Sequence, residues 1–228
     1  MPSSRPESIP IVISLVRQII PKSILDIGIG FGKWGLLFRE YTDIIASELD
    51  PPRYKKENWK IKIEGIEGFP DYITPVHQYI YDNIYLGDIL EVLPHLGEYD
   101  LIFIGDVIEH LSKDKGRELI YQALEHTNRY LILTTPRFPI KQEAICNNEL
   151  ERHRSLWTIK DLKKLALADV LILPGEILLA IYRKPGQPRV FPQQKKPKSH
   201  LRLFIGDIAR KTLGDKLYQN IRSKIPIK

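Results

Sequence analysis

The chain has 228 residues, 43% apolar and 27% charged, with a net charge of +6. That length holds one full globular core with an appendage, and the composition excludes a disordered or fibrous chain. A single cysteine, Cys146, excludes an internal disulfide and a Cys-x-x-Cys zinc site and fits a reducing, cytoplasmic setting.

No apolar run approaches the ~20 residues that cross a bilayer. Residues 9–20 (IPIVISLVRQII) are broken by Arg17 and Gln18 and lack a small-residue cleavage site, so they read as a core helix rather than a signal peptide. Charge is uneven. Residues 189–228 carry 11 basic and 2 acidic side chains, against 23 and 26 in residues 1–188, so the positive charge belongs to the tail. A slightly acidic body does not grip nucleic acid over its whole face, and a basic tail implies a partner of its own.

In chain order, residues 8–20 read as a helix ended by Pro21, and residues 24–27 as a short buried strand. Residues 33–41 are helical, with Trp34, Leu37 and Phe38 on one side, and residues 42–59 are an irregular insertion. Strands follow at 61–66, 84–86, 100–104 and 130–134, separated by helices at 72–81, 89–96 and 113–126. A helix at 158–168 precedes strands at 170–173 and 177–182, joined tightly through Pro174 and Gly175. Strands alternating with helices predict an α/β fold: a doubly wound, mainly parallel seven-stranded sheet with an antiparallel edge hairpin. Residues 1–184 form that domain. Residues 185–198, rich in Pro, Gln and Lys, read as a linker, and residues 199–228 as a basic amphipathic helical tail.

The chemistry concentrates in ILDIGIGFGKWG, residues 24–35, where Gly28, Gly30 and Gly32 follow Asp26. A strand turning through glycines into a helix makes a nucleotide-sized crevice at the helix N-terminus. Two readings compete. Gly30, Gly32 and Gly35 fit the dinucleotide pattern G-x-G-x-x-G, with Glu48 or Asp50 about 20 residues on as the ribose carboxylate of an NAD(P)-dependent oxidoreductase. Yet Asp26 at the loop entry would repel a pyrophosphate and favour a cationic ligand.

The strand, the acidic residue and the G-x-G-x-G run resemble the first motif of class I S-adenosylmethionine-dependent methyltransferases, and the resemblance extends in order over residues 22–184. It implies a Rossmann-like fold and S-adenosylmethionine as cofactor. It places Asp26, Gly28, Gly30 and Gly32 at the cofactor, Glu67 on the ribose with Glu48 and Asp50 as rivals on spacing, and Asp88 and Ile89 at the adenine. Residues 99–103 resemble the fourth strand, and residues 106–111 (DVIEHL) the motif after it, with Asp106 counted among the cofactor contacts.

The reaction so implied is in-line methyl transfer, in which a hydroxyl acceptor must also lose a proton. His110 beside Glu109 is the first candidate base, since an imidazole titrates near neutrality, and His153 the second. Against these stand plainer roles. Glu109 and His110 can simply cap the next helix. His77, His95, His126 and His200 read as surface or packing residues, Gly35 as a helix-packing position, and Trp34, Trp59 and Trp157 as anchors.

Asp106, Glu109, His110 and His153 also form an oxygen-and-imidazole set of the kind that binds Mg²⁺ or Mn²⁺. The set resembles that of metal-dependent 2′-O-methyltransferases of small-RNA 3′ ends and of ubiquinone-biosynthesis O-methyltransferases, although Asp106 stands where those families carry Glu. The expected acceptor is a hydroxyl on a small molecule or, by resemblance to short bacterial methyltransferases with appendages, on a cell-surface glycan. An RNA acceptor and a non-catalytic S-adenosylmethionine-binding domain are the alternatives. The tail is expected to pack on the body or a second subunit, or to lie on an anionic membrane surface, which would make the protein peripherally membrane-associated; nucleic-acid phosphates are its third candidate partner.

Overall fold

The computed structural model describes residues 4–145 and 147–192. The tail, residues 193–198 of the linker and Cys146 lie outside the described residues.

Seven strands form one sheet in the order β3-β2-β1-β4-β5-β7-β6. They are β1 (Ser23–Ile27), β2 (Lys62–Glu67), β3 (Asn83–Leu86), β4 (Tyr99–Gly105), β5 (Thr127–Pro136), β6 (Ala168–Leu173) and β7 (Ile177–Arg183). The first five pair in parallel, and β7 runs antiparallel between β5 and β6. The α-helices are α1 (Ile9–Ile19), α2 (Lys33–Arg39), α3 (Pro75–Ile80), α4 (Ile89–Val92), α5 (Lys113–Glu125) and α6 (Ile159–Leu165).

Strand alternation divides the core into two layers. Ile24, Leu101, Phe103 and Ile132 face α1, α2 and α3 through Leu15, Trp34, Phe38 and Ile80. Leu25, Ile27, Ile102, Ile104 and Leu133 face α5 and α6 through Leu119, Ile120 and Leu162. The doubly wound sheet with its antiparallel edge is therefore as the residue pattern predicts, and strand order reverses between β1 and β4, where such sheets open a crevice at their carboxyl ends. Among the described residues, no helix is long and apolar enough to cross a membrane.

Differences from the predicted elements have local causes. The segment expected as one helix over 72–81 is a 3₁₀ turn (Pro70–Tyr72) followed by the short α3. There, Pro75 starts the helix and the His77 imidazole accepts from the Thr74 backbone N–H at 3.1 Å, closing the first turn. Strand β5 outruns 130–134 at both ends because β4 and β7 hydrogen-bond it on either side. Helix α6 stops at Leu165, since Ala168 already pairs with Tyr182.

The insertion at 42–59 is built of short helical turns around Arg39. The buried guanidinium donates to Asp43 at 2.7 Å, Ile61 O at 2.7 Å, Ile80 O at 3.0 Å and Asp82 at 3.1 Å, and it lies 4.2 Å from the Trp59 ring centre. Residues 185–192, the first part of the segment read as linker, lie on the body: Val190 is buried, Arg189 pairs with Asp169, and Tyr130 donates to Pro188 O at 2.8 Å.

Candidate functional site

A cavity of about 560 Å³ opens at the carboxyl ends of the parallel strands. Its floor is the turn from β1 into α2, where Gly28, Gly30 and Gly32 all have positive φ (76°, 50° and 76°). Gly28 is confined as well as left-handed: a Cβ there would sit 2.5 Å from Val107 Cγ2. Gly30 is held from both sides. Its N–H donates to Glu67 Oε2 at 2.9 Å, and its carbonyl lies 2.9 Å from His77 Nε2. Because His77 Nδ1 accepts from Thr74, Nε2 carries the hydrogen and donates. His77, which sequence reasoning left as packing, thus ties α3 to the glycine turn; the signal was the Thr-Pro-x-His capping pattern.

Glu67 ends β2 in the cavity wall, with its other oxygen accepting from Phe69 N–H at 2.9 Å. Burial raises its carboxyl, and the N–H donors of Phe69, Gly30 and Gly68 pull it back. Its rivals on spacing, Glu48 and Asp50, are not among the residues lining the wall; they sit in the insertion, where Asp50 pairs with Lys60 at 3.3 Å. Asp88 and Ile89 line the wall beyond β3, with Asp88 capping α4 by accepting from Leu90 N–H at 2.9 Å.

Asp26 and Gly32, expected at the cofactor, are placed differently. Neither lines the cavity. Asp26 lies beneath the turn, accepting from the Tyr81 hydroxyl at 2.7 Å, while that hydroxyl accepts from Gly35 N–H at 3.2 Å. Burial pushes the Asp26 carboxyl up to about 7, the charge of Glu67 adds to this, and the Tyr81 hydrogen bond opposes it. The strand alternation that makes residues 24–27 legible also turns the Asp26 side chain down toward α2 and α3, away from the crevice. Gly32 caps α2 and packs on the His77 ring. Gly35 packs against Tyr81, as its helix-packing reading expects.

The opposite wall comes from the loops after β4 and β5. Asp106, with φ of 54°, has one carboxylate oxygen buried with no partner among the described residues. Burial raises its pKa, while Thr134, Ser4 and the charges of Lys33 and Arg5 lower it. Glu109 is 3% exposed and accepts from the Thr135 hydroxyl at 3.0 Å; burial, then Asp106, hold it well above the usual carboxylate range. Neither Glu109 nor His110 caps α5, a role taken by Ser112.

The loop after β5 is stitched onto this turn. Arg154 and Ser155 donate backbone N–H groups to Glu109 O at 2.8 and 3.0 Å, and the buried Trp157 donates Nε1–H to Ile108 O at 3.2 Å. That brings His153 to His110, with ring centres 4.8 Å apart. Burial and the neighbouring His153 lower His110 to about 4. Its Nδ1 is buried without a partner among the described residues. His153 Nδ1 donates to Ile140 O at 2.8 Å, which leaves Nε2 as the proton acceptor. Burial lowers its pKa as well.

One ligand atom from each of Glu109, His110 and His153 lies within 4.8 Å of the others. Two neutral imidazoles and a buried carboxylate are donor types that can take a divalent cation.

No protein-family profile and no curated protein matches the chain. Solved structures do match, at low identity. The DhpI–S-adenosylhomocysteine complex has a TM-score of 0.57 at 13% identity, over 79% of this chain and 84% of that one. An O-methyltransferase family protein from Burkholderia thailandensis gives 0.53 at 12%, over 80% of this chain and 57% of that one. PigF with S-adenosylhomocysteine gives 0.51 at 15%, over 76% and 55%. The chain therefore spans little more than half the length of the latter two. Its fold is that of the class I S-adenosylmethionine-dependent methyltransferases.

Proposed function

We propose that this protein is an S-adenosylmethionine-dependent O-methyltransferase acting on a hydroxyl of a small molecule or a sugar. The observation that carries the reading is the placement of a ribose-suited carboxylate, Glu67, and the Asp88–Ile89 pair on one wall, with Asp106, Glu109 and His153 on the other.

S-adenosylmethionine, when bound, supplies a methyl group on a sulfonium for in-line displacement. Glu67 would accept from the ribose hydroxyls, and Asp88 and Ile89 would hold the adenine. His153 is a better base than His110, reversing the order read from the sequence. Its Nδ1–H is fixed on Ile140 O, so the Nε2 lone pair is free to take the acceptor's proton. His110 is half-buried, and burial with the neighbouring His153 lowers it to about 4. The chain's residues would thus orient the acceptor oxygen, pass its proton to His153 Nε2 and exclude water; the C–O bond would form as the methyl's bond to sulfur breaks, with S-adenosylhomocysteine as the leaving group.

A second reading is metal assistance, favoured by the orphaned Asp106 and His110 atoms. Glu109, His110 and His153, with Asp106, would hold the cation, which would acidify the acceptor hydroxyl; His153 would then be a ligand rather than the base. A dinucleotide oxidoreductase is disfavoured because Glu48 and Asp50 stand outside the wall.

Thermal unfolding tests the reading. S-adenosylhomocysteine at 100 times its Kd adds roughly 2.7 kcal/mol, and NAD and NADP add nothing. Stabilisation by NAD or NADP instead would overturn it. Transfer to a hydroxyl panel with and without EDTA separates the two mechanisms, and binding without any turnover would favour the non-catalytic alternative.

A further inference from the structure

A second hollow, of about 200 Å³, adjoins the large cavity at His153. Glu109, Ile140 and His153 line both spaces, whereas Phe138, Pro139 and Leu156 line only the second. His153 therefore stands where a nucleotide-sized space meets a much smaller one.

Size and lining restrict what the smaller space can take. An apolar cavity of about 150 Å³ holds one benzene ring, so this hollow has room for a single substituted ring. Its apolar walls are Pro136, Phe138, Pro139, Ile140 and Leu156. The polar groups at its edge are engaged by the protein. Ser155 Oγ donates to Ile108 O at 3.1 Å and accepts from Trp157 Nε1 at 3.0 Å. Arg154 turns its terminal nitrogens to His110 O at 2.9 Å and Glu149 O at 3.0 Å, and Glu109 accepts from Thr135. His153 differs: Nδ1 is spent on Ile140 O, and Nε2, a proton acceptor, has no partner among the described residues. A sugar carries several hydroxyls, and each one buried here without a partner would lose roughly tenfold in affinity. A flat apolar ring with one hydroxyl matches apolar walls and a single acceptor atom.

We infer that the hollow beside His153 seats the methyl acceptor, and that this acceptor is a single-ring phenol with its hydroxyl at His153 Nε2. The inference rests on the methyltransferase reading and narrows its substrate from a small molecule or a sugar to an aromatic hydroxyl. In the step, the phenol passes its proton to His153 Nε2 and its oxygen forms the new bond to the methyl carbon. The methyl–sulfur bond breaks, its electron pair stays on sulfur, and S-adenosylhomocysteine leaves. A phenol ionises near pH 10, as tyrosine does, and so gives up its proton more readily than a sugar alcohol. Phe138 and Leu156 are then specificity residues that set the fit of the ring.

The probes are 4-methylphenol and methyl α-glucoside, offered to the full chain saturated with S-adenosylhomocysteine and followed by calorimetry. The wild type should bind 4-methylphenol and not the glucoside, and with S-adenosylmethionine it should methylate the phenol at oxygen. Leu156→Trp, which fills the hollow, should weaken 4-methylphenol by about tenfold or more, and Phe138→Ala by about threefold to tenfold. Both variants should keep S-adenosylhomocysteine affinity within about twofold, which also shows that they fold. Preference for the glucoside, no binding of 4-methylphenol, binding without methyl transfer, or an unchanged phenol affinity in both variants overturns the inference and spares the methyltransferase reading. A wild type that fails to bind S-adenosylhomocysteine overturns both.

Discussion

On the β1–β2 side of the cavity, polar groups that reach the wall already have protein partners. Glu67 spends an oxygen on Gly30 and the other on Phe69, and Asp88 caps α4. On the β4–β5 side, Asp106 Oδ1 and His110 Nδ1 are buried without partners among the described residues, and the buried Glu109 carboxyl lies in the field of the half-buried Asp106. Buried polar groups are ordinarily satisfied, so a wall that leaves several open is arranged for something outside the chain. The first wall fixes shape; the second holds chemistry in reserve.

Disrupting the shape-fixing wall has the largest expected effect. Gly28→Val puts a branched side chain at φ of 76° against Val107 and should abolish stabilisation by S-adenosylhomocysteine in thermal unfolding. Disrupting the reactive wall should spare the cofactor: His153→Ala should slow methyl transfer by about 10²–10⁴-fold with S-adenosylhomocysteine affinity unchanged by calorimetry. Because burial lowers His153 from 6.5, wild-type transfer should rise with pH and level off below neutrality.

Asp26 sharpens the comparison: it lies beneath the glycine turn on the first side, yet its Oδ1 is buried without a partner among the described residues. Its folded value, about 7, is above its unfolded value of 3.8. The folded state therefore holds this proton more tightly, and the stability it contributes at low pH is lost as pH rises between those values. Urea titrations across that range should show a fall of up to about 4 kcal/mol, flattened in Asp26→Asn. The smallest effect belongs to the bridge between the walls. Tyr72 donates to Glu151 at 3.0 Å, and Tyr72→Phe should lower stability in urea by about 1 kcal/mol.

The shape-fixing wall was largely legible in sequence because local rules write it: a strand, glycines with no tolerated side chain, a carboxylate at the next strand's end. What escaped was direction. Asp26 is one residue out of phase with the cavity, and motif spacing does not say which face of a strand a side chain takes. The reactive wall was legible only as a set of residue types. His153 reaches His110 across 42 intervening positions through backbone bonds from Arg154 and Ser155 to Glu109, a tertiary event with no periodicity. His77 was missed for the same reason: it acts on the glycine turn from an element distant in sequence.

The Arg39 hub sets a condition on shortening this protein. Cutting residues 42–59 to a plain connection would remove Asp43 and the Trp59 ring from a guanidinium now 2% exposed and leave Asp82 as its remaining carboxylate. A buried cation stripped of its partner costs about 3–5 kcal/mol, whereas an apolar residue of similar volume in its place can be neutral. A minimal version of the domain therefore has to change Arg39 in the same step as the excision, and the two changes should be strongly non-additive: each damaging alone, mild together.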